Sequence, residues 1–412
     1  MSPIGNIIPR FQRSSGKEAA EPPPDLTPAQ IDELSRALKI MAEMQDPAAV
    51  MSTAQDRTVA LIQSFVAEEA GRPLLEAPGN AREARFDEHD IHWYEFWKYA
   101  GKLQRYPWVE TLVSPTELPD PARVALFGDW GTALYGAEPI STKIASAKPS
   151  YEVVFHLGDT YYSGTTKEIA ERLLKDWPNV PNAINRSLNG NHEMYSGGEG
   201  YFRQVVLGFG QSASYFALQN KHWLLAGLDT SYNEHDLHGG QADWLQKLVN
   251  QSGNRKLVLF SHHQPFTLFP SSNPLERGNG QVLDKLAKLL KERRITAWYW
   301  GHEHRCLLYE PHDIWGFHGR CVGHGGFPEF RKSKAFDWEP PPQPTFKKIF
   351  GRLFVPDARV LDGPNECIPG HEKEYLPHGY MTLRFDGPEL FETVHDAISD
   401  KPLWHQPLIG GM

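Results

Sequence analysis

The chain has 412 residues, enough for one large domain or for two. Its 40% hydrophobic and 23% charged residues are those of a globular protein with a real core. A formal net charge of -9 repels phosphate backbones, so no nucleic-acid partner is expected. A small anionic substrate stays open, because bound metal ions would set the local field.

The cysteines are Cys306, Cys321 and Cys367, an odd number with no Cys-x-x-Cys pair. This argues against a disulfide framework and for a reducing compartment, with a single Cys306–Cys321 bridge left open. Residues 1–10 hold no apolar run fit for a signal-peptide core. No apolar stretch reaches the length of a membrane span. The expectation is a cytoplasmic protein with no span.

In chain order, residues 1–27 read as a disordered tail, polar at Ser14 to Glu18 and closed to helix at Pro22-Pro23-Pro24. A helical N-terminal region follows over 28–110. Thr27 is the expected N-cap, Pro28 the first helical residue, and Gln30 completes a capping box. Ile31, Leu34, Leu38 and Met41 recur at helical spacing, and Val59, Ile62, Phe65 and Val66 mark a second amphipathic helix. The aromatics between Phe86 and Trp108 are expected to pack this region onto the main domain rather than to form a ligand patch.

Pro115, Pro119 and Pro121 mark a boundary, and a catalytic domain is expected over 120–398. Here short apolar runs alternate with helical patterns at Ala242 to Val249 and Val282 to Leu290, which argues for an α/β layered architecture. The runs are Val124 to Phe127, Val153 to Leu157, Leu257 to Phe260 and Thr296 to Trp300. Each reads as a buried strand. Residues 331–372 read as an insertion, broken by Pro340 to Pro344, and as a possible lid. A final strand pair is expected at Tyr380 to Phe385 and Leu390 to Val394.

The chemistry lies where those strands stop. Asp129, Asp159, His262, His302 and His304 follow the apolar runs, with Gly128, Gly158 and Gly301 placed for tight turns. In open α/β sheets ligands gather outside the carboxyl ends of strands, so these residues should converge in one crevice. Gly190-Asn191-His192-Glu193 adds an amide and another imidazole. Carboxylate oxygens with imidazole nitrogens suit iron, zinc or manganese. One carboxylate, most naturally Asp159, can bridge two ions. Such a pair clamps phosphate and turns a bound water into a hydroxide nucleophile near neutral pH.

In this order the blocks Gly128-Asp129-Trp130-Gly131, Gly158-Asp159-Thr160-Tyr161-Tyr162, Gly190-Asn191-His192-Glu193, His262 and Gly301-His302-Glu303-His304 resemble the calcineurin-like metallophosphoesterases. The resemblance spans about residues 120 to 395 and implies an αββα sandwich of two sheets flanked by helices. Gly131 stands where many relatives have His, and Tyr162 falls at the tyrosinate position of the purple acid phosphatase branch. A phenolate needs a highly charged ion to hold it deprotonated, since its proton ordinarily leaves near pH ~10. The resemblance therefore implies a ferric site of Asp129, Asp159, Tyr162 and His304. It implies a second site of Asp159, Asn191, His262 and His302 for Fe(2+), Zn(2+) or Mn(2+). His192 resembles the residue that steadies phosphate and protonates the leaving oxygen. His263 is a phosphate contact or a packing residue, and Glu193 orients a neighbour. His156 and His324 are supporting or structural. The implied activity is hydrolysis of a small phosphomonoester by attack of the metal-bound hydroxide. The alternatives are a phosphodiesterase on the same site and a non-catalytic scaffold that binds a partner through the N-terminal helices.

Overall fold

A computed structural model of the chain describes residues 27–43, 56–70, 92–269, 281–329, 331 and 355–409. Most of the expected tail and the middle of the expected 331–372 insertion lie outside these residues.

The N-terminal helices are α1 (Pro28–Glu43), α2 (Arg57–Ala70) and α3 (His92–Ala100). Thr27 caps α1: Gln30 N–H donates to Thr27 Oγ1 at 3.3 Å, and Thr27 N–H donates back to Gln30 Oε1 at 2.9 Å. Leu34 and Ala37 of α1 close on Val59, Ile62 and Phe65 of α2 and Phe96 of α3. The linker after α3 carries the aromatics inward, as its composition predicts. Tyr106 stacks on Phe202 and Trp108 on Tyr215, with centroids 5.1 and 5.8 Å apart.

Then come β1 (Thr116–Glu117), β2 (Ala122–Phe127), α4 (Ala137–Ser146), β3 (Val153–His156) and a short α5 (Thr166–Glu168) that continues as π turns over Ile169–Leu174. Next are β4 (Ile184–Ser187), α6 (Asn191–Tyr195), β5 (Phe216–Gln219), β6 (Trp223–Leu228), α7 (Gln241–Gln251) and β7 (Lys256–Ser261). The chain continues through α8 (Gln281–Lys285), α9 (Ala287–Lys291), β8 (Ile295–Trp300), β9 (Cys306–Pro311), β10 (His318–Val322) and β11 (Ala358–Val360). It ends with β12 (Gly379–Asp386), β13 (Glu389–Asp396) and β14 (Pro402–Ile409).

These strands make an 8-stranded sheet in the order β1-β5-β6-β7-β8-β10-β9-β11 and a 6-stranded sheet in the order β14-β13-β12-β2-β3-β4. Within them β2, β3 and β4 run parallel, as do β6, β7, β8 and β10. Period-2 alternation divides each strand between two faces. Val258 and Phe260 of β7 meet Val124, Leu126 and Phe155 between the sheets, whereas Leu257 and Leu259 pack outward with Trp244 and Leu245 of α7. Ala125, Phe127 and Val154 on the other outer face take Ile140 and Ile144 of α4. The result is the α/β layered architecture expected from the strand–helix alternation, arranged as the αββα sandwich that the resemblance implies.

Parallel strands within a sheet bring their carboxyl ends to one edge. Asp129, Asp159 and Asn191 follow β2, β3 and β4, and His262 and His302 follow β7 and β8. Cys306, Cys321 and Cys367 are free thiols. Among the described residues no helix is long and apolar enough to cross a membrane.

Phe260 is fully buried between the sheets, with ring centroids 4.7 Å from Phe155 and 5.3 Å from Tyr299. Phe260→Ala should destabilise the protein by about 3–5 kcal/mol in denaturant unfolding, through lost transfer energy plus an unfilled cavity. A loss under about 1 kcal/mol would mean that the intersheet layer collapses freely around the gap.

Candidate metal centre

The turns that follow the strands set the site. Asp129, Asp159, His302 and His304 all have left-handed backbones, with φ of 56°, 72°, 69° and 50°. Ordinary residues adopt this region rarely, and several together mark a segment held by its surroundings. Gly190 is required for a different reason: a Cβ there would overlap Asp159 Oδ1.

Asp129 and Asp159 are completely buried. Asp129 Oδ2 accepts from His302 N–H at 2.8 Å, and Oδ1 accepts from the Tyr161 hydroxyl at 3.0 Å. Asp159 Oδ1 accepts from His192 N–H at 3.0 Å and lies 3.3 Å from His262 Nε2. The Tyr161 hydroxyl also stands 3.3 Å from Asp159 Oδ2 and 2.9 Å from His304 Nε2. Asn191 Oδ1 is 2.8 Å from His262 Nε2 and 3.0 Å from His302 Nδ1.

Outer contacts choose which ring nitrogen faces inward. His262 Nδ1 is 3.1 Å from the Leu157 carbonyl, and His304 Nδ1 is 3.6 Å from Glu329 Oε2. Such partners fix the orientation of an imidazole ligand and leave the opposite nitrogen for an ion. Glu193 Oε2 accepts from Gly190 N–H at 2.9 Å and from Asp159 N–H at 3.2 Å, so it ties the β3 and β4 turns together.

The structure departs from the motif spacing at one position. The phenol at the carboxylates is that of Tyr161, not the expected Tyr162. Tyr161 and Tyr162 lie in a turn beyond β3 rather than in a strand, and their rings part there. The Tyr162 ring instead lies under the Arg172 guanidinium, 4.9 Å from its centroid, in a cluster with Ala67, Ile368 and Tyr375. The Tyr162 backbone carbonyl bonds His192 Nδ1.

His192 lies between the Tyr161 and Tyr195 rings, at 4.6 and 4.8 Å. Its Nε2 is 3.8 Å from Asp159 Oδ2 and has no hydrogen-bond partner. The His263 ring packs against those of His302 and His235, with centroids 4.7 and 4.0 Å off. His235 escaped the sequence reading, although β6 ends in Asp229-Thr230 as the other parallel strands end in metal-competent residues. His156 and His324 are buried; His156 Nδ1 meets Ser187 Oγ at 3.2 Å.

The electrostatics are those of crowded carboxylates. Burial, and then the Asp159 charge, pushes Asp129 well above the usual carboxylate range. Burial also opposes ionisation of Asp159, but His262 and His192 outweigh it and hold that group below its ordinary value. Burial, with Asp159 beside it, raises Glu193 to about 8. Burial lowers His192 to about 4 against the pull of Asp159.

The donor atoms fit metal ions. One ligand atom from each of Asp129, Asp159 and His304 lies within 4.8 Å of the others, and the same holds for Asp159, His262 and His302. Asp159 is common to both groups, as a bridging carboxylate must be. Hard oxygens mixed with imidazole nitrogens suit first-row ions.

Residues 122–306 match the family model described as calcineurin-like phosphoesterase. That stretch holds every donor named above. Among solved structures, a purple acid phosphatase from yellow lupin (Lupinus luteus) seeds is 16% identical, with a TM-score of 0.47, over 69% of this chain and 53% of the lupin chain. This protein thus spans about half the length of the lupin enzyme. GAP50, described as the anchor in the inner membrane complex of Plasmodium, is 10% identical, with a TM-score of 0.46, over 70% of this chain and 89% of its own. A dimetal phosphatase from Danio rerio is 11% identical, with a TM-score of 0.41, over 70% of this chain and 100% of its own. No curated protein matches the chain. The chain is similar to calcineurin-like phosphoesterases over residues 122–306, the stretch that holds its candidate metal ligands.

Gly190→Ala should keep the fold but lower the metal content measured per chain, because the added methyl displaces the Asp159 carboxylate. Full metal content in a folded Gly190→Ala variant would separate Asp159 from the ions.

Proposed function

We propose that this protein hydrolyses phosphomonoesters at a dinuclear metal centre. The observation that carries the reading is the meeting of two donor groups at Asp159, one drawn mainly from each sheet. One ion would be held by Asp129, Asp159, Tyr161 and His304, and the other by Asp159, Asn191, His262 and His302. Tyr161 takes the phenolate role that motif spacing assigned to Tyr162, and a hard phenolate suits Fe(3+). Fe(2+), Zn(2+) or Mn(2+) suits the second set. Two ions there would neutralise phosphoryl charge and lower the pKa of water.

The chain's own residues do the rest. Asp159 and Asn191 fix the spacing of the two sets, and Glu193 fixes Asp159 by holding its backbone. The Tyr162 carbonyl accepts from His192 Nδ1–H, so the proton that moves in catalysis sits on Nε2. Burial makes His192 a reluctant base, and a phosphate anion at Nε2 favours its protonated form. From there the proton passes to the departing alkoxide oxygen.

Two measurements test this. A visible absorption spectrum with metal analysis on the same sample should show a broad purple or pink band. The band should vanish in Tyr161→Phe and persist in Tyr162→Phe. Two colourless ions per chain would remove the ferric phenolate and leave the hydrolase. His192→Ala should cost about 10²–10⁴-fold in kcat on alkyl phosphates. It should cost much less on p-nitrophenyl phosphate, whose leaving group needs no proton. Equal losses on both substrates would take the acid role from His192.

A further inference from the structure

His235 belongs to neither donor set. It is buried, and its ring centroid stands 4.0 Å from that of His263 and 5.7 Å from that of His302. One ring nitrogen from each of His235, His263 and His302 lies within 4.8 Å of the others. We propose that these three imidazoles form a third cation position, suited to zinc, beside the dinuclear centre. It rests on the proposed function only in treating His302 as a ligand shared with the second ion.

The surroundings hold two of the rings in place. His263 N–H donates to Thr230 Oγ1 at 3.1 Å, and His263 Nδ1 meets the same hydroxyl at 3.1 Å. That leaves His263 Nε2, buried and with no hydrogen-bond partner. An oriented imidazole with its far nitrogen turned into a cluster is the usual arrangement of a metal ligand. His235 has a left-handed backbone, with φ of 54°. The next residue, Asp236, is anchored to Lys285 Nζ of α8 at 2.7 Å, and Leu237 is buried in the core beyond. His302 Nδ1 faces Asn191 and His262, and the same ring stands 4.7 Å from that of His263 and 5.7 Å from that of His235.

Three imidazoles without a carboxylate disfavour magnesium and calcium and favour zinc, copper or nickel. Three nitrogens plus one open coordination position is a common zinc arrangement. Bonds of about 2.0–2.1 Å put tetrahedral donors about 3.3 Å apart, so the rings must close by about 1.5 Å at most. If His302 bonds ions through both nitrogens, it sheds its N–H proton to solvent.

The test is total metal per chain in the full-length protein equilibrated with zinc and freed of loose ions. The expected count is three in the wild type and two in His235→Asn, with unchanged near-UV circular dichroism. Two in both proteins, or three in both, overturns the third position and leaves the dinuclear reading standing. Fewer than two in the wild type overturns the dinuclear reading itself. Should His235→Asn fail to fold, cobalt(II) titration of the wild type decides. A third equivalent that adds visible absorption of a tetrahedral site supports the position, and a spectrum unchanged beyond two equivalents overturns it. A two-ion protein whose inhibition by inorganic phosphate weakens in His235→Asn would make the cluster an anion contact, and the cation proposal would fall.

Discussion

Two carboxylates are buried side by side, and the rest of the site follows from that. Like charges out of water repel, and neither can be hydrated. The structure relieves the conflict unevenly. Asp159 keeps its charge among His262, His192 and His302, whereas Asp129 is pushed toward its protonated form and takes hydrogen bonds from Tyr161 and His302 N–H. Each bond is one that a cation would strengthen or replace. A pair of divalent or trivalent ions would reverse the local logic: both carboxylates would then ionise, and the phenol of Tyr161, driven upward by burial and the two Asp charges, would become acidic instead.

The fold supplies the rigidity that such crowding needs. Each donor sits one to five residues beyond a buried parallel strand, so its backbone position is set by a hydrogen-bonded ladder on one side. On the other side the turns interlock: Asp129 N–H bonds the Gly158 carbonyl, and Gly301 N–H bonds the His262 carbonyl. Left-handed φ values at four candidate donors are the cost of turning the chain this sharply while aiming every side chain at one point. Packed layers behind the turns keep that conformation from relaxing.

The sequence made much of this legible, and the gaps have physical causes. Buried parallel strands read as continuous apolar runs, so Val153 to Leu157, Leu257 to Phe260 and Thr296 to Trp300 announce β3, β7 and β8 to within one or two residues, with their metal-competent ends. Strand β6 carries the same signal in Trp223-Leu224-Leu225-Ala226-Gly227-Leu228, and overlooking it hid His235 seven residues on. Strand β10 carries Gly319 and Arg320 among its buried residues, β9 ends in exposed Glu310 and Pro311, and β14 at a sheet edge is largely exposed, so none reads as a clean apolar run. The exchange of Tyr161 for Tyr162 is of another kind. Motif spacing counts residues, but side-chain direction depends on the backbone path, and two adjacent tyrosines satisfy the count almost equally well.

That backbone path is held partly from outside the family-matched region. The Glu168 carboxylate accepts Tyr162 N–H at 2.7 Å and the N–H groups of Ser163 and Thr165 at 3.1 Å each. Arg172 balances its charge at 3.3 Å, and the Ser64 hydroxyl of α2 completes its shell at 2.9 Å. Ala67 of the same helix packs with Tyr161 and Tyr162, and Arg57 bonds the Tyr195 carbonyl at 2.9 Å. A carboxylate that gathers three backbone donors fixes the loop in one conformation, because any other leaves buried N–H groups unpaired. From that loop the Tyr161 hydroxyl reaches the carboxylates while the Tyr162 carbonyl orients His192. Among the described residues the N-terminal helices thus contribute no donor atom, yet the phenol and the imidazole on either side of Asp159 are both positioned by a segment that α2 helps to hold.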